Sequence, residues 1–310
     1  MRILFYAPDS SGPDAWLADL RAAFPEAQVR MWTEGDDDPA DYAIVWKPPL
    51  AMLRNRTHLK AVFAIGAGVD AILKFSDALP AGVPLVRLDD AGMGVQMAEY
   101  VTWSVLRYFR RFDEFGAQAG KKQWHFLEPR EKEDFTIGIL GLGVLGTRIA
   151  AALAHFGFPL RGWSRTPKDM PGMQCYAGAD QLDAFLSGSR VLVCVLPLTS
   201  ETSGILNRAA LARLPQGAWL INVARGAHVV EEDLLTLVQQ GHIAGATLDV
   251  FGEEPLPPAH PFWREPRITI TPHISALTVR GESVRQIAAK IRALENGEPI
   301  AGVVDRTRGY

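Results

Sequence analysis

Three glycines, Gly141, Gly143 and Gly146, stand at the G-x-G-x-x-G spacing that can hold a pyrophosphate. Each would contribute differently, with Gly141 allowing a tight turn, Gly143 letting the backbone approach the phosphates, and Gly146 letting a helix lie close to a sheet. In a chain with 28 glycines the spacing alone is weak evidence, so its context matters. An apolar, strand-like run, Phe135–Leu140, precedes the turn, and apolar residues at helical spacing follow over Thr147–Phe156. Strand, turn and helix thus come in the order that points free helix N–H groups at an anion. Three reactive side chains follow other strand-like runs: Arg225 after Ala218–Val223, Glu254 after Ala244–Val250, and His273 after Ile268–Thr271. Ligands of doubly wound sheets gather outside the carboxyl ends of the strands. A guanidinium, a carboxylate and an imidazole are therefore expected to converge beside a bound nicotinamide. Taken singly, each has a plainer reading: a surface or core histidine, a turn glutamate before Pro255, a structurally paired arginine.

The end of the second strand selects between dinucleotides, because an acid there serves the ribose hydroxyls of NAD and a basic residue the extra phosphate of NADP. Here the run Phe158–Trp163 ends in Ser164-Arg165-Thr166-Pro167-Lys168, without an acid. A guanidinium binds a phosphate bidentately where a carboxylate would repel it. NADPH is the expected cofactor, with NADH as the alternative if Arg165 and Lys168 are only solvated charges.

The elements that must position these groups fall into two sets. Before residue 95, strand-like runs at Ile3–Tyr6, Tyr42–Trp46, Ala61–Ile65 and Leu85–Leu88 alternate with helical patterns, the signature of a small parallel sheet. From Phe135, strands near 191–195, 218–223, 244–250 and 268–271 alternate with helical patterns at 181–185, 208–213 and 231–240. A long aromatic helix over Gln96–Phe112 precedes them, and a helix near Val279–Asn296 follows. The expected fold class is α/β: a Rossmann-like, doubly wound coenzyme domain (96–274) and a flavodoxin-like substrate domain (1–95 with 275–310). A second glycine turn, Gly66-Ala67-Gly68-Val69-Asp70-Ala71, with Asp89 downstream, imitates the first. The apolar segment after it is too short for a good crossover helix, but its amides suit a small carboxylate.

Composition narrows the classes. The 310 residues suit two domains, and 48% hydrophobic with 22% charged residues is ordinary for a globular enzyme. A net charge of −3 gives no general attraction to nucleic acid or anionic membranes. Two cysteines without C-x-x-C and seven scattered histidines suggest neither disulfides nor a metal site. The chain enters a strand at once, with no apolar signal region, so a cytoplasmic location is expected.

The chain resembles the D-isomer-specific 2-hydroxyacid dehydrogenases, and among them those that reduce glyoxylate and hydroxypyruvate with NADPH. The motifs that carry the resemblance are Gly66–Asp70, Gly141–Gly146, Leu196-Pro197-Leu198-Thr199 with Thr202, Asn222–Gly226, Asp249–Pro257 and Thr271–His273 with Thr278. The resemblance implies that His273 is the acid/base, Glu254 its partner and Arg225 the anchor of the substrate carboxylate. Glu253 and Glu254 are adjacent, and the family pattern puts the partner directly before proline. It further implies that Val144 and Leu145 approach the pyrophosphate, that Leu196, Pro197, Thr202, Val223 and Ala224 line the dinucleotide, and that Asp249 holds the nicotinamide carboxamide. Trp46, Ala67 and Gly68 would touch the substrate, although Trp46 reads equally as a core residue. A homodimer through the Met97–Phe112 helix and a cleft between the domains are also implied.

These roles agree with elementary chemistry. Reduction of a 2-oxo acid puts hydride on carbon and develops charge on oxygen, which calls for a proton donor. A carboxylate beside an imidazole favours its charged form. The rival from another class is a protein of the same fold that senses the dinucleotide without turnover; a dehydrogenase of another small 2-hydroxy acid is the nearer alternative.

Overall fold

The first five strands, β1 (Arg2–Tyr6), β2 (Gln28–Met31), β3 (Tyr42–Val45), β4 (Ala61–Ala64) and β5 (Leu85–Arg87), pair in parallel in the order β2-β1-β3-β4-β5. That is the flavodoxin order. The computed structural model describes residues 1–8, 12–80 and 82–310. Helices α1 (Pro13–Ala23), α2 (Leu50–Leu53) and α3 (Asp70–Leu73) connect these strands. Strands β3 and β4 are buried at every residue, as expected for a parallel sheet covered on both faces. This sheet belongs to one of two compact units, residues 1–93 with 278–310; the other is residues 94–277.

In the second unit α4 (Met93–Phe109, all but its first residue) and α5 (Phe112–Gly120) come first. Seven strands follow: β6 (Ile137–Leu140), β7 (Leu160–Ser164), β8 (Met173–Ala177), β9 (Val191–Cys194), β10 (Ala218–Asn222), β11 (Ile243–Leu248) and β12 (Ile268–Ile270). Their order is β12-β11-β10-β9-β6-β7-β8, all parallel, with the reversal between β6 and β9. This is the doubly wound dinucleotide topology extended by one strand. Helices α6 (Val144–His155), α7 (Leu182–Ser187), α8 (Arg208–Leu211) and α9 (Glu231–Gln239) cross between the strands. One apolar cluster packs Phe185, Leu211, Leu234 and Val238 on one face of the sheet, and another packs Val101, Val105, Ile149 and Leu153 on the other.

Helix α6 shows why the glycine unit folds as it does. Its buried residues, Gly146, Ile149, Ala150 and Leu153, recur at helical spacing along one stripe. Full burial of Ile149 and of Leu153 contributes about 1.5–3 kcal/mol each. In the first unit the last helix, α10 (Arg280–Glu295), packs on α1, with Arg280 Nε 2.7 Å from Asp19 Oδ2.

Two features differ from the sequence expectation, and the second glycine turn agrees with it. The aromatic helix is not one piece to Phe112: it stops at Phe109, and Arg111 adopts φ 59° before α5 begins. Arg111 is held there by Glu114, whose carboxylate accepts two bonds at 2.8 and 2.9 Å. Strands β2 and β8 lie outside the expected set; both are edge strands with little burial, so their apolar pattern is weak. The imitation glycine turn leads into α3, only four residues long, and Asp89 pairs with Lys290 at 3.0 Å.

Among the described residues no helix is long and apolar enough to cross a membrane. One ion pair predicts the acid response. Glu265 accepts bonds from Arg267 at 2.7 and 2.9 Å, and this guanidinium holds its carboxyl below the usual range against the opposing effect of burial. A depressed folded value stabilises the native state above the unfolded value, about 4.3 for Glu, and the benefit is lost as pH falls through the folded value. Glu265→Gln should therefore lower Tm at neutral pH and flatten its fall below about pH 4. Melting curves with the same pH slope for both proteins would refute this.

Candidate active site

The turn after β6 is built as a cradle. Gly141 has φ 116°, and a Cβ there would lie 3.0 Å from the Val195 carbonyl carbon and oxygen. A Cβ on Gly146 would come 1.9 Å from the Gly141 carbonyl oxygen, so the helix can approach only without a side chain. Gly143, by contrast, faces open space within 4 Å, and as N-cap of α6 it leaves the helix start without a side-chain cap. An empty position beside unclaimed N–H groups fits a pyrophosphate, and Val144, the first helical residue, is 46% exposed there.

The other residues expected to meet the dinucleotide lie on the loops after the neighbouring strands. Ser164 ends β7 and donates its hydroxyl to the Thr166 carbonyl at 2.8 Å. Lys168 Nζ donates to the Leu142 carbonyl, which puts an ammonium at the glycine turn. Arg165 pairs with Glu201 at 3.2 Å, so an acid absent from the strand end arrives from a later loop. Glu201 is largely exposed (68%) and Arg165 about one-third so (34%), and such a solvent-facing pair is worth little. After β9, the Thr202 hydroxyl bonds the Pro197 carbonyl (2.7 Å) and accepts the Thr199 N–H (2.9 Å), closing the loop that starts at buried Leu196. Val223 and Ala224, also buried, follow β10.

His273 and Glu254 meet: Nδ1 lies 2.8 Å from Oε2, with the side chains 39% and 32% exposed. Of the two adjacent glutamates it is Glu254 that makes this contact, and its other oxygen takes the Phe251 N–H at 3.0 Å. With Nδ1 engaged, Nε2 is the ring atom left to exchange a proton.

The backbone of His273 is left-handed, φ 56°, which a non-glycine residue keeps only when its surroundings over-determine it. Asp249 does this. The N–H groups of His273, Ile274 and Ser275 go in succession to its carbonyl (2.9 Å), its Oδ1 (2.8 Å) and its Oδ2 (2.8 Å). The Thr271 hydroxyl adds a fourth bond at 2.5 Å, and Tyr100 OH donates to that hydroxyl at 2.6 Å. Burial and then the Asp249 charge push the Tyr100 phenol up to about 12, so it stays a donor at neutral pH. The Asp249 carboxylate is fully buried and accepts three of about four possible bonds, which leaves room for one amide donor.

Arg225 is positioned by two buried side chains. Asn222 donates to the Arg225 carbonyl (3.0 Å) and accepts the Ala224 N–H (3.2 Å). His228 Nδ1 lies 3.2 Å from the Arg225 nitrogen and 3.0 Å from its carbonyl oxygen, and Nε2 lies 3.2 Å from the Pro197 carbonyl. A Cβ on Gly226 would fall 1.8 Å from the Phe251 carbonyl carbon, so the Arg225 and Glu254 loops lie backbone to backbone. Asn222 and Thr271 were visible only as members of motifs, and His228 and Tyr100 gave no signal, because Pro197 and Thr271, which they meet, are distant in sequence.

In the first unit, Trp46 follows β3 and Gly66 follows β4. A Cβ on Gly66 would strike the Trp46 ring at 2.4 Å, so the indole lies on the turn that carries Ala67 and Gly68. Trp46 is therefore partly buried but not part of the sheet's interior.

Comparison with known proteins bears on the same residues. The family model for the D-isomer specific 2-hydroxyacid dehydrogenase NAD binding domain matches residues 102–275. A glyoxylate/hydroxypyruvate reductase A from Serratia proteamaculans is 56% identical over the whole of both chains, and one from Yersinia enterocolitica is 52% identical over the same extent. Among solved structures, a D-isomer specific 2-hydroxyacid dehydrogenase from Xanthobacter autotrophicus Py2 in complex with NADPH and MES superposes with a TM-score of 0.94, at 43% identity over 100% of this chain and 99% of its own. An NADPH-dependent glyoxylate/hydroxypyruvate reductase from Sinorhizobium meliloti, in complex with NADP and sulfate, gives 0.92 at 37% identity over all of both chains. With likeness of this extent in sequence and in fold, the chain belongs to the D-isomer specific 2-hydroxyacid dehydrogenase family.

Proposed function

We propose that the protein is an NADPH-dependent reductase of small 2-oxo acids, converting glyoxylate to glycolate and hydroxypyruvate to D-glycerate. The observation that carries this reading is the His273–Glu254 pair at 2.8 Å, held on the carboxyl side of the same sheet as the glycine cradle. Full-length relatives bearing the reductase name support the substrate assignment.

In this reading the residues of the cradle hold the dinucleotide: Gly143, Val144 and Leu145 take the pyrophosphate and Arg165 with Lys168 the 2′-phosphate. Leu196, Pro197, Thr202, Val223 and Ala224 line its length. Bound NADPH supplies the hydride. Arg225 grips the substrate carboxylate through a charge-assisted bond. His273 donates the proton on Nε2 to the carbonyl oxygen as charge develops there, and Glu254 holds the ring through Nδ1. Asp249 uses its remaining acceptor for the carboxamide. In the first unit, the Ala67 and Gly68 amides and the Trp46 ring are assigned to the acid's carboxylate and its small side chain.

Oxidation of NADPH, followed by absorbance with glyoxylate, hydroxypyruvate and pyruvate in turn, tests the reading. No turnover of any 2-oxo acid would favour a dinucleotide sensor instead. Arg165→Ala should raise the KM for NADPH about 10- to 100-fold, the value of one lost charged bond, and change that for NADH little. Equal effects on both would remove Arg165 from the phosphate site.

The proposal includes a cytoplasmic homodimer. Its support is the run of aromatics left outside the core: Trp103 on α4, Phe112 on α5, then Trp124, fully exposed, and Phe126. So much uncovered aromatic surface is unusual on a monomer.

A further inference from the structure

The loop carrying Glu254 is gripped from two sides. The carboxylate of Glu254 itself takes the Phe251 N–H, and the next N–H, that of Gly252, goes to Oε1 of Glu231 at 2.9 Å. Glu231 opens α9, where the helix dipole favours a carboxylate. Its second oxygen lies 3.2 Å from His260 Nε2. His260 is fixed in turn: its N–H bonds the Pro257 carbonyl (2.9 Å), and its ring meets the buried Phe262 edge-on at 4.6 Å. The Phe262 N–H points at Nδ1 (3.4 Å), which leaves the ring proton on Nε2, facing Glu231.

We propose that Glu231, steadied by His260, is a positioning residue for the reaction: it fixes the 251–254 loop so that Glu254 meets Nδ1 of His273. The inference rests on the reading of His273 as the proton donor. Gly252 is two residues from Glu254, and a loop displacement of about half an ångström would stretch the 2.8 Å contact past the range of a good hydrogen bond. Glu231 touches neither reacting atoms nor His273, and its effect travels through one backbone N–H.

A double-mutant cycle separates this role from plain structural support. Hydroxypyruvate reduction at saturating NADPH is measured for the wild type, E231A, E254Q and the double variant, each below its melting temperature. E231A should lower kcat about tenfold, as small misplacements of catalytic groups do, and lower it less than about twofold in the E254Q background. Glu231→Gln keeps an oxygen for the Gly252 N–H but turns its amide N–H groups toward the His260 Nε2–H, so it should recover part of the loss. A second readout needs no ligand: the histidine side-chain NMR spectrum, with the His273 signal identified by its absence in H273A. That signal should move in E231A in the same direction as in E254Q, and move less in E231Q. The proposal is overturned if E231A slows both backgrounds equally, or if the His273 signal does not move. If E231A does not fold, Glu231→Asp, with its charge kept and its reach shortened, goes through the same cycle under the same criteria. A wild type without turnover would defeat the functional reading alone, because the spectra still decide the positioning.

Discussion

Replacing His273 with Ala should lower kcat for 2-oxo acid reduction by about 10²- to 10⁴-fold, the usual worth of a general acid, while NADPH still binds. The structure separates the ring from the loop that carries it. The left-handed turn is held by three backbone N–H groups running to Asp249, none of which involves the imidazole. Removing the ring therefore removes the proposed proton donor and leaves the loop in place. His273→Asn is the natural control, since Asn tolerates the left-handed region better than most residues; it should lose rate to a similar degree. Steady-state kinetics gives kcat, and quenching of the tryptophan fluorescence, with eight tryptophans available, gives NADPH binding. A loss under tenfold would mean that another group delivers the proton. Loss of NADPH binding as well would mean that His273 is structural.

The second large effect belongs to a residue with no side chain. Gly226→Ala should lower kcat/KM by 100-fold or more, since misplacement by about 1 Å costs that much. Its Cβ would fall 1.8 Å from the Phe251 carbonyl carbon, 2.1 Å from its oxygen and 2.3 Å from the Gly252 nitrogen. All three are backbone atoms, so no side chain can rotate away and one of the two loops must move. One carries Arg225; the other carries Glu254 and is tied to Glu231. Overpacking of this kind costs about 1–3 kcal/mol, which amounts to a fall in Tm of several degrees in a chain of this size. Calorimetry and kinetics on the same preparation check both parts. Normal kinetics would show that the close approach of the loops does not matter.

Much of this was legible in the sequence, for reasons that differ by residue. The glycine unit could be read because its strand, turn and helix are consecutive and each has its own period. The residues Arg225, Glu254 and His273 stood out because each follows an apolar run and so lies at a strand end. Strands β2 and β8 were missed because an edge strand buries little and leaves a faint alternation. The end of α4 was missed because nothing in Phe109-Arg110-Arg111-Phe112 forbids a helix; the break depends on Glu114 and Arg130 closing on one another beside Arg111. Arg165 is singled out by what its strand lacks, but its pairing with Glu201 spans 36 residues and leaves no local trace. The same holds for Tyr100 with Thr271, His228 with Pro197, and Glu231 under the Glu254 loop. Local pattern points to candidate reacting groups, whereas the groups that hold them are chosen by the fold.

The contact between Gly141 and Val195 has a thermodynamic consequence. The two loops flanking the reversal of strand order touch through their backbones, and Gly146 presses the next helix onto the Gly141 carbonyl. With no slack on either side, an arriving dinucleotide enters a mould that has already set. Little backbone motion is left to freeze at this turn, so the energy of its contacts goes into affinity and not into ordering it.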